Sequence, residues 1–330
     1  DVYKRQGYAG LERRRTEFKR ALEQIKKLGN ERGKDQTVFF GTDYVRTLAQ
    51  TAAIPEAMKT SFDLSCIRRK NTEGYHYFIS ALTGKDTESW IPLAVPARSA
   101  MLYNPMNGAS GKALLRQKDG KTEVYLQLAS GESAILKTFT EADVQVPEWK
   151  YQTVAQGTVE LSGLWSLRFV ESAPAVHSVP DSVSLGSWTD LSFEGAGTTM
   201  GTGCYATAFV IENPASAQDW QLSLGDVRES ARVRINGREV ATLWAVPYCC
   251  PIGQYLRPGK NILEIEVTNL PANRIADMDR RGVKWRIFKD INIAALGYKK
   301  GTYAGWEPVP SGLLGPVRII PLKITKNEMQ

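Results

Sequence analysis

A chain of 330 residues, 42% apolar and 23% charged, has room for two or three globular domains, and none of its apolar runs approaches the ~20 residues of a membrane-spanning helix. Its net charge of +7 invites a nucleic-acid partner. Much of the basic excess, however, sits in Arg13, Arg14, Arg15, Lys19, Arg20, Lys26 and Lys27, where it alternates with Glu12, Glu17 and Glu23 as on a solvated helix face, and no recognition motif accompanies it.

The opening "DVYKRQ" does not begin with Met and lacks the order of a signal peptide, so it reads as an irregular start, with the natural protein extending upstream. Residues 8–29 have helical spacing, with Leu11, Phe18, Leu22, Ile25 and Leu28 on one side and a stop at Gly29-Asn30. "TVFFG" (37–41) predicts a short buried strand, and "DYVRTLAQTAAI" (43–54) a helix ended by Pro55. This helix–strand–helix order predicts that residues 1–64 are the remnant of an α/β unit whose other strands lie upstream.

From Ser65 the period becomes two. "CIRRKNTEGYHYFISAL" (66–82) reads as two strands around a turn at Asn71–Gly74, and short strands follow within 89–95, 99–117, 122–128 and 133–139. The spacing predicts a small antiparallel β-sandwich over 65–141. Charge and proline make 142–157 a connector. Strands recur at 164–170, 204–212, 220–227, 231–237, 239–244 and 261–269, predicting a second β-domain over 158–330. Within it "ARVRINGREVATLW" alternates cleanly and turns at Asn236-Gly237, a strong hairpin signal because both residues tolerate positive φ.

The order of "ARVRING", an aromatic stretch at Trp244–Tyr248, "LRPGKN" (256–261) and "LEIEVTN" (263–269) resembles the sugar-binding jelly-roll of glycoside hydrolase family 2. "TNLPANRIADMDRRGVKWRIFKDIN" (268–292) and "WEPVPSGLLGPVRIIPL" (306–322) more closely resemble the C-terminal region of glycoside hydrolase family 106, the α-L-rhamnosidases. "YHYFISALTGKDTESWIPLAV" (75–95), "LYNPMNGASGKALLR" (102–116) and "VYLQLASGESAILKT" (124–138) look like the sandwich that precedes that region. The resemblance spans about residues 38–322. It implies a mainly β fold, with a small β-sandwich and a galactose-binding-like jelly-roll behind the α/β remnant. It also implies a catalytic (β/α)₈ barrel upstream, braced by these domains, and a rhamnose-containing glycan as substrate. Export to the periplasm or medium of a bacterium, with the signal peptide upstream, is a further implication. So is calcium in the complete enzyme, although no cofactor is expected in this chain and no metal-ligand set is legible in it.

Glycoside hydrolysis typically employs two carboxylates. Asp226 with Glu229, and Asp277 with Asp279, are pairs that could be named, but the resemblance places the catalytic acid and base in the barrel. The stretch 273–292, read as a loop, concentrates Arg274, Asp277, Asp279, Arg280, Arg281 and Asp290 around Trp285. Arginines with carboxylates suit a domain interface, and an aromatic ring with charged neighbours suits a sugar, so this stretch is expected to bind substrate or meet the barrel. Asp226, Glu229 and Trp244 are candidate wall residues. His76 and His177 stand alone, Cys66, Cys204, Cys249 and Cys250 have no CxxC spacing, and no GxSxG elbow or phosphate-cradling glycine loop is present. Two other classes fit parts of the pattern: a free-standing carbohydrate-binding module, and a family 2 β-galactosidase or β-mannosidase fragment, which leaves 273–292 and 306–322 without a role.

Overall fold

The computed structural model describes residues 10–30, 42–49, 51, 54–286 and 301–325. The predicted strand at 37–41 and the candidate residue Asp290 lie outside them. The chain divides into two compact units, one ending at Glu56 and one beginning at Ala57. The first contains α1 (Leu11–Asn30) and α2 (Tyr44–Leu48). Ion pairs Arg15–Glu12 and Arg13–Glu17 lace the charged side of α1, while Phe18, Leu22, Ile25 and Leu28 lie exposed on it. Asp43 caps α2 by accepting from the Arg46 N–H. The helix predicted for 43–54 stops at Leu48, whose carbonyl accepts from both the N–H and the hydroxyl of Thr51. A threonine that bonds local backbone competes with helix propagation.

The second unit opens with α3 (Met58–Phe62), which buries Met58. The strands β1 (Ser65–Lys70), β2 (Gly74–Ser80), β3 (Thr87–Pro92), β4 (Ser99–Tyr103), β5 (Ser110–Lys112), β6 (Leu115–Lys118), β7 (Lys121–Leu128) and β8 (Ser133–Phe139) follow. They form two antiparallel sheets, ordered β1-β2-β8-β4-β5 and β3-β7-β6. Alternation decides what each buries: in β2, Tyr77 and Ile79 enter a core with Ile91, Leu102, Val124, Leu126 and Leu136, whereas His76 and Phe78 face outward.

The second sandwich comprises β9 (Tyr151–Val154), β10 (Val159–Glu160), β11 (Ser166–Ala173), β12 (Met200–Ile211), β13 (Asp219–Ser223), β14 (Asp226–Arg228), β15 (Ser230–Ile235), β16 (Arg238–Leu243), β17 (Cys249–Pro251), β18 (Gly259–Thr268), β19 (Gly312–Gly315) and β20 (Arg318–Thr325). One sheet runs β10-β20-β13-β17 with β9 also on β20, the other runs β11-β12-β18-β15-β16, and β14 pairs with β19. Within the stretch read as a connector, β9 thus pairs with β20, while its Tyr151 packs into the first sandwich. The Asn236-Gly237 turn has φ of 52° and 78° and joins β15 to β16. The carboxamide of Asn236 reaches the buried Asn261 at the end of "LRPGKN", which ties the hairpin to the head of β18.

The second core is built around Trp165, Trp188 and Tyr205, with Leu222, Val233, Ile235, Leu263, Ile265, Val267, Leu313 and Ile319. The Tyr205 hydroxyl accepts from Trp188 Nε1 at 2.6 Å and from the Leu313 N–H at 3.1 Å, and burial pushes its pKa up to about 12. Replacing Tyr205 by Phe leaves two buried donors without an acceptor, a cost of about 2–3 kcal/mol. Differential scanning calorimetry should register it as a fall in Tm of about 4–10 °C.

Candidate functional site

The densest cluster of the predicted site residues begins at the end of β18. The stretch read as a loop opens as a helix, α4 (Ala272–Arg280), which corrects that reading. Its physical cause is the spacing of the charges: Asp277 accepts from Arg274 at 3.2 Å and from Arg281 at 2.8 Å, one i,i+3 and one i,i+4 pair along a helix face. Alternating charge had obscured that register. Asn273, nearly buried, both donates to and accepts from the Val309 backbone and so clamps the start of α4 onto the strand-like approach to β19.

Asp279 is the hub of the far end. Its carboxylate accepts from Trp285 Nε1 at 2.6 Å, the Tyr303 N–H at 2.8 Å, the Thr302 hydroxyl at 3.1 Å and Arg286 at 3.5 Å. Arg280 donates to the carbonyls of Ala304 and Trp306, and Arg286 to that of Gly301. The Arg286 guanidinium lies 5.2 Å from the Trp285 ring centroid and 5.0 Å from that of Tyr303, whose ring lies 4.5 Å from Trp306. Two segments distant in sequence, 272–286 and 301–311, are therefore stitched into one surface. Trp285 and Tyr303 are half-buried in it, and Trp306 is 48% exposed.

These contacts engage each of Arg274, Asp277, Asp279, Arg280, Arg281 and Arg286 within the junction itself. They also set the chemistry of Asp279: the Tyr303 N–H and the Trp285 indole hold its carboxyl below the usual carboxylate range. A general acid in glycoside hydrolysis needs the opposite shift, so Asp279 is a structural anion. The junction it holds is stabilised above the ordinary carboxylate pKa of about 3.9 and loses that support as pH falls through the lower folded value. The Trp emission that reports this junction should be flat from neutral pH to about 4 and change only below it, and Asp279→Asn should abolish that step.

Strand registers place the wall candidates at the same end of the second sandwich. Ser230 pairs with Thr268, four residues before α4, and Ala231 pairs with Leu243, which immediately precedes Trp244. The Glu229 N–H bonds the Thr268 carbonyl, and the Tyr248 hydroxyl donates to the carbonyl of Glu229. Asp226 is paired with Arg228 at 2.6 Å, and β14 lies against β19, next to Ser311 and Val309. Trp244 is 66% exposed, unlike the buried Trp188 and Tyr248. Leu270, Val283, Val309 and Val246 are also exposed at this end. Sequence reasoning did not single out Asn273, Thr302, Tyr303, Trp306 or Ser311. The charged run hid the helix, and the partners in 301–311 carry no pattern of their own. Among the described residues no group of three or more His, Cys, Asp or Glu could hold a metal ion, and no helix is long and apolar enough to cross a membrane.

With that geometry in place, comparison with known proteins locates the fold. No family model matches the chain. It is 31% identical over 179 residues to a putative beta-glucuronidase of Formosa agariphila, a match covering 49% of this chain and 15% of that protein. The rhamnosidase from Novosphingobium sp. PP1Y superposes with a TM-score of 0.59 at 24% identity, over 86% of this chain and 26% of that one. The chain thus has the β-sandwich architecture of glycoside hydrolases and spans about a quarter or less of the length of these two relatives. A beta-D-glucuronidase from Dictyoglomus thermophilum is more distant, with a TM-score of 0.34 at 20% identity.

Proposed function

We propose that this chain is an accessory region of an α-L-rhamnosidase-like glycoside hydrolase. Its domains, an α/β remnant over 1–64, a small sandwich over 65–141 and a jelly-roll from 158 onward, brace a catalytic barrel contributed by preceding sequence. One observation carries the reading. At the end of the jelly-roll that gathers α4, Trp244 and Trp306, exposed apolar side chains lie beside Arg274, Asp277, Asp279, Arg280 and Arg281, which are bonded to one another or to groups of 285–306. Sugar hydroxyls need free donors and acceptors, whereas a protein surface needs exposed apolar area over a rigid, paired support. Arg274, Asp277, Asp279, Arg280, Arg281 and Trp285 are then positioning residues, which hold the surface and do not touch the substrate. Rhamnose-containing glycans, and the export that their degradation by bacteria entails, belong to the same reading.

The exposed rings of Trp244 and Trp306 favour a second reading, a carbohydrate-binding module, since a free indole face stacks on a sugar ring. A polypeptide that includes both the preceding barrel and this chain separates the two. Assayed against aryl α-L-rhamnosides, β-D-glucuronides and β-D-galactosides, it should cleave the first, and Asp279→Ala should lower kcat at least ~10-fold by loosening the docked domain. Cleavage of a β-glucuronide instead would assign the chain to the chemistry named for its Formosa relative. Rhamnoside binding by the isolated chain, lost in Trp306→Ala, would support the module.

A further inference from the structure

The first sandwich is open at one end. Alternation turns Tyr75 to the same side of β2 as the core residues Tyr77 and Ile79, but Tyr75 is only the second residue of the strand, and a cavity of about 420 Å³ begins there. It lies between the turn joining β1 to β2, the approach to β4 at Pro96 and the segment leaving β8, and its volume is that of a small-molecule pocket. The walls are firmly built. The Asn71 carboxamide accepts from the N–H groups of Glu73 and Gly74 at 2.8 and 2.7 Å, Glu73 is paired with Lys137 at 2.6 Å, and the Thr140 N–H bonds the Glu73 carbonyl at 2.9 Å. The Arg68 guanidinium lies 5.6 Å from the Tyr75 ring centroid.

The lining groups, by contrast, are unengaged. The side chains of Lys70, Thr72, Thr140 and Glu141 and the hydroxyl of Tyr75 bond no group among the described residues. This reverses the situation at the end of the second sandwich, where the clustered arginines and aspartates are bonded within the junction. The chemistry of the unengaged groups selects the ligand. An anion would gain Lys70 but meet Glu73 and Glu141, and a cation would meet Lys70. Three hydroxyls, one ammonium and one carboxylate together suit a neutral molecule that donates and accepts along its edge. The half-buried Tyr75 ring and the exposed Pro96 ring suit one that also has an apolar C–H face. A pyranose has both. We infer that this cavity binds a neutral pyranose unit of a glycan, its C–H face against Tyr75 and Pro96 and its hydroxyls bonded to Lys70, Thr72, Thr140 and Glu141. The choice of a sugar rests on the glycoside hydrolase reading above, whereas the cavity and its unengaged groups stand without it.

Saturation-transfer difference NMR and calorimetric titration of the 330-residue chain with methyl α-L-rhamnopyranoside, methyl β-D-galactopyranoside and sodium D-glucuronate test this directly. At least one of the two neutral glycosides should bind, with the millimolar Kd expected of a ligand of about a dozen heavy atoms. Lys70→Ala and Glu141→Ala, both at exposed positions, should each weaken binding at least ~5-fold, and Tyr75→Ala at least ~10-fold. Lys85→Ala, a surface lysine beyond the other end of β2, should leave Kd unchanged. Should Tyr75→Ala lose its native circular dichroism because the ring packs against the first core, the two exposed variants decide. No binding of either neutral glycoside up to ~50 mM, binding of glucuronate alone, or binding indifferent to both Lys70→Ala and Glu141→Ala overturns the proposal. So does binding that is lost in Trp306→Ala but kept in the cavity variants, which assigns the sugar to the second sandwich. Because the readout is binding by this chain alone, a barrel-containing polypeptide inactive on rhamnosides would refute the rhamnosidase reading and leave this one standing.

Discussion

Gly312→Ala is expected to lower the thermal midpoint of the unit beginning at Ala57 by about 6–12 °C, a loss of about 3 kcal/mol. Two costs add. Gly312 has φ of 93°, in the left-handed region that a Cβ disfavours by about 1–2 kcal/mol. A Cβ built there also overlaps the Trp188 indole and the Tyr205 hydroxyl, both buried in the second core. Neither neighbour can yield, because Trp188 Nε1 is bonded to that hydroxyl and the turn carrying Trp188 is fixed by Ser187, whose side chain accepts from the N–H groups of Thr189 and Ser311. Overpacking at such a site costs about 1–3 kcal/mol. Gly237 supplies the control: its φ is 78°, but a Cβ there meets nothing within 4 Å. Gly237→Ala should therefore cost only the backbone share, about 1 kcal/mol. Calorimetry that found the two variants equal would refute the packing account of Gly312.

How much of this was legible in the sequence depended on whether a residue's role is local. The Asn236-Gly237 hairpin, the alternation of β2 and the Leu263, Ile265, Val267 face of β18 are visible because each strand buries one side and bares the other. β20 escaped notice because "RIIPLKIT" is nearly continuous in apolar residues and contains Pro321, which argues against an inner strand. The structure accommodates that proline opposite Trp220, where its missing N–H is tolerated and its carbonyl accepts from Ala155. β9 was lost for a different reason: its four residues serve both sandwiches, the backbone pairing with β20 and the Tyr151 ring packing against Tyr125. The charged run of 274–286 was recognisable as important. Its helix was not, and neither was the dependence of Asp279 on Thr302 and Tyr303, a pairing of segments over twenty residues apart that no periodicity encodes.

The chain by itself should release no more product from an aryl α-L-rhamnoside than a buffer control does, and adding the barrel in the same polypeptide should restore turnover. Positioning supplies much of a glycosidase's rate: an acid of raised pKa and a base must face each other across an enclosed sugar. The predicted carboxylates do not meet that need. Asp277 is bonded between Arg274 and Arg281, Asp226 is paired with Arg228, and Asp279 is held in its anionic form by the four donors around it. A raised carboxyl does occur at Glu132, where burial disfavours the charged form and Asp86 adds to the effect. Yet Glu132 accepts from the Ala129 N–H and Asp86 from the Ser130 N–H, so both are engaged in holding the turn between β7 and β8. Glu132→Gln should accordingly leave the restored activity of the barrel-containing polypeptide within about two-fold while altering the stability of the turn. Turnover by the 330-residue chain that disappeared in Glu132→Gln, Asp279→Asn or Glu229→Gln would move the chemistry into these sandwiches and end the accessory reading.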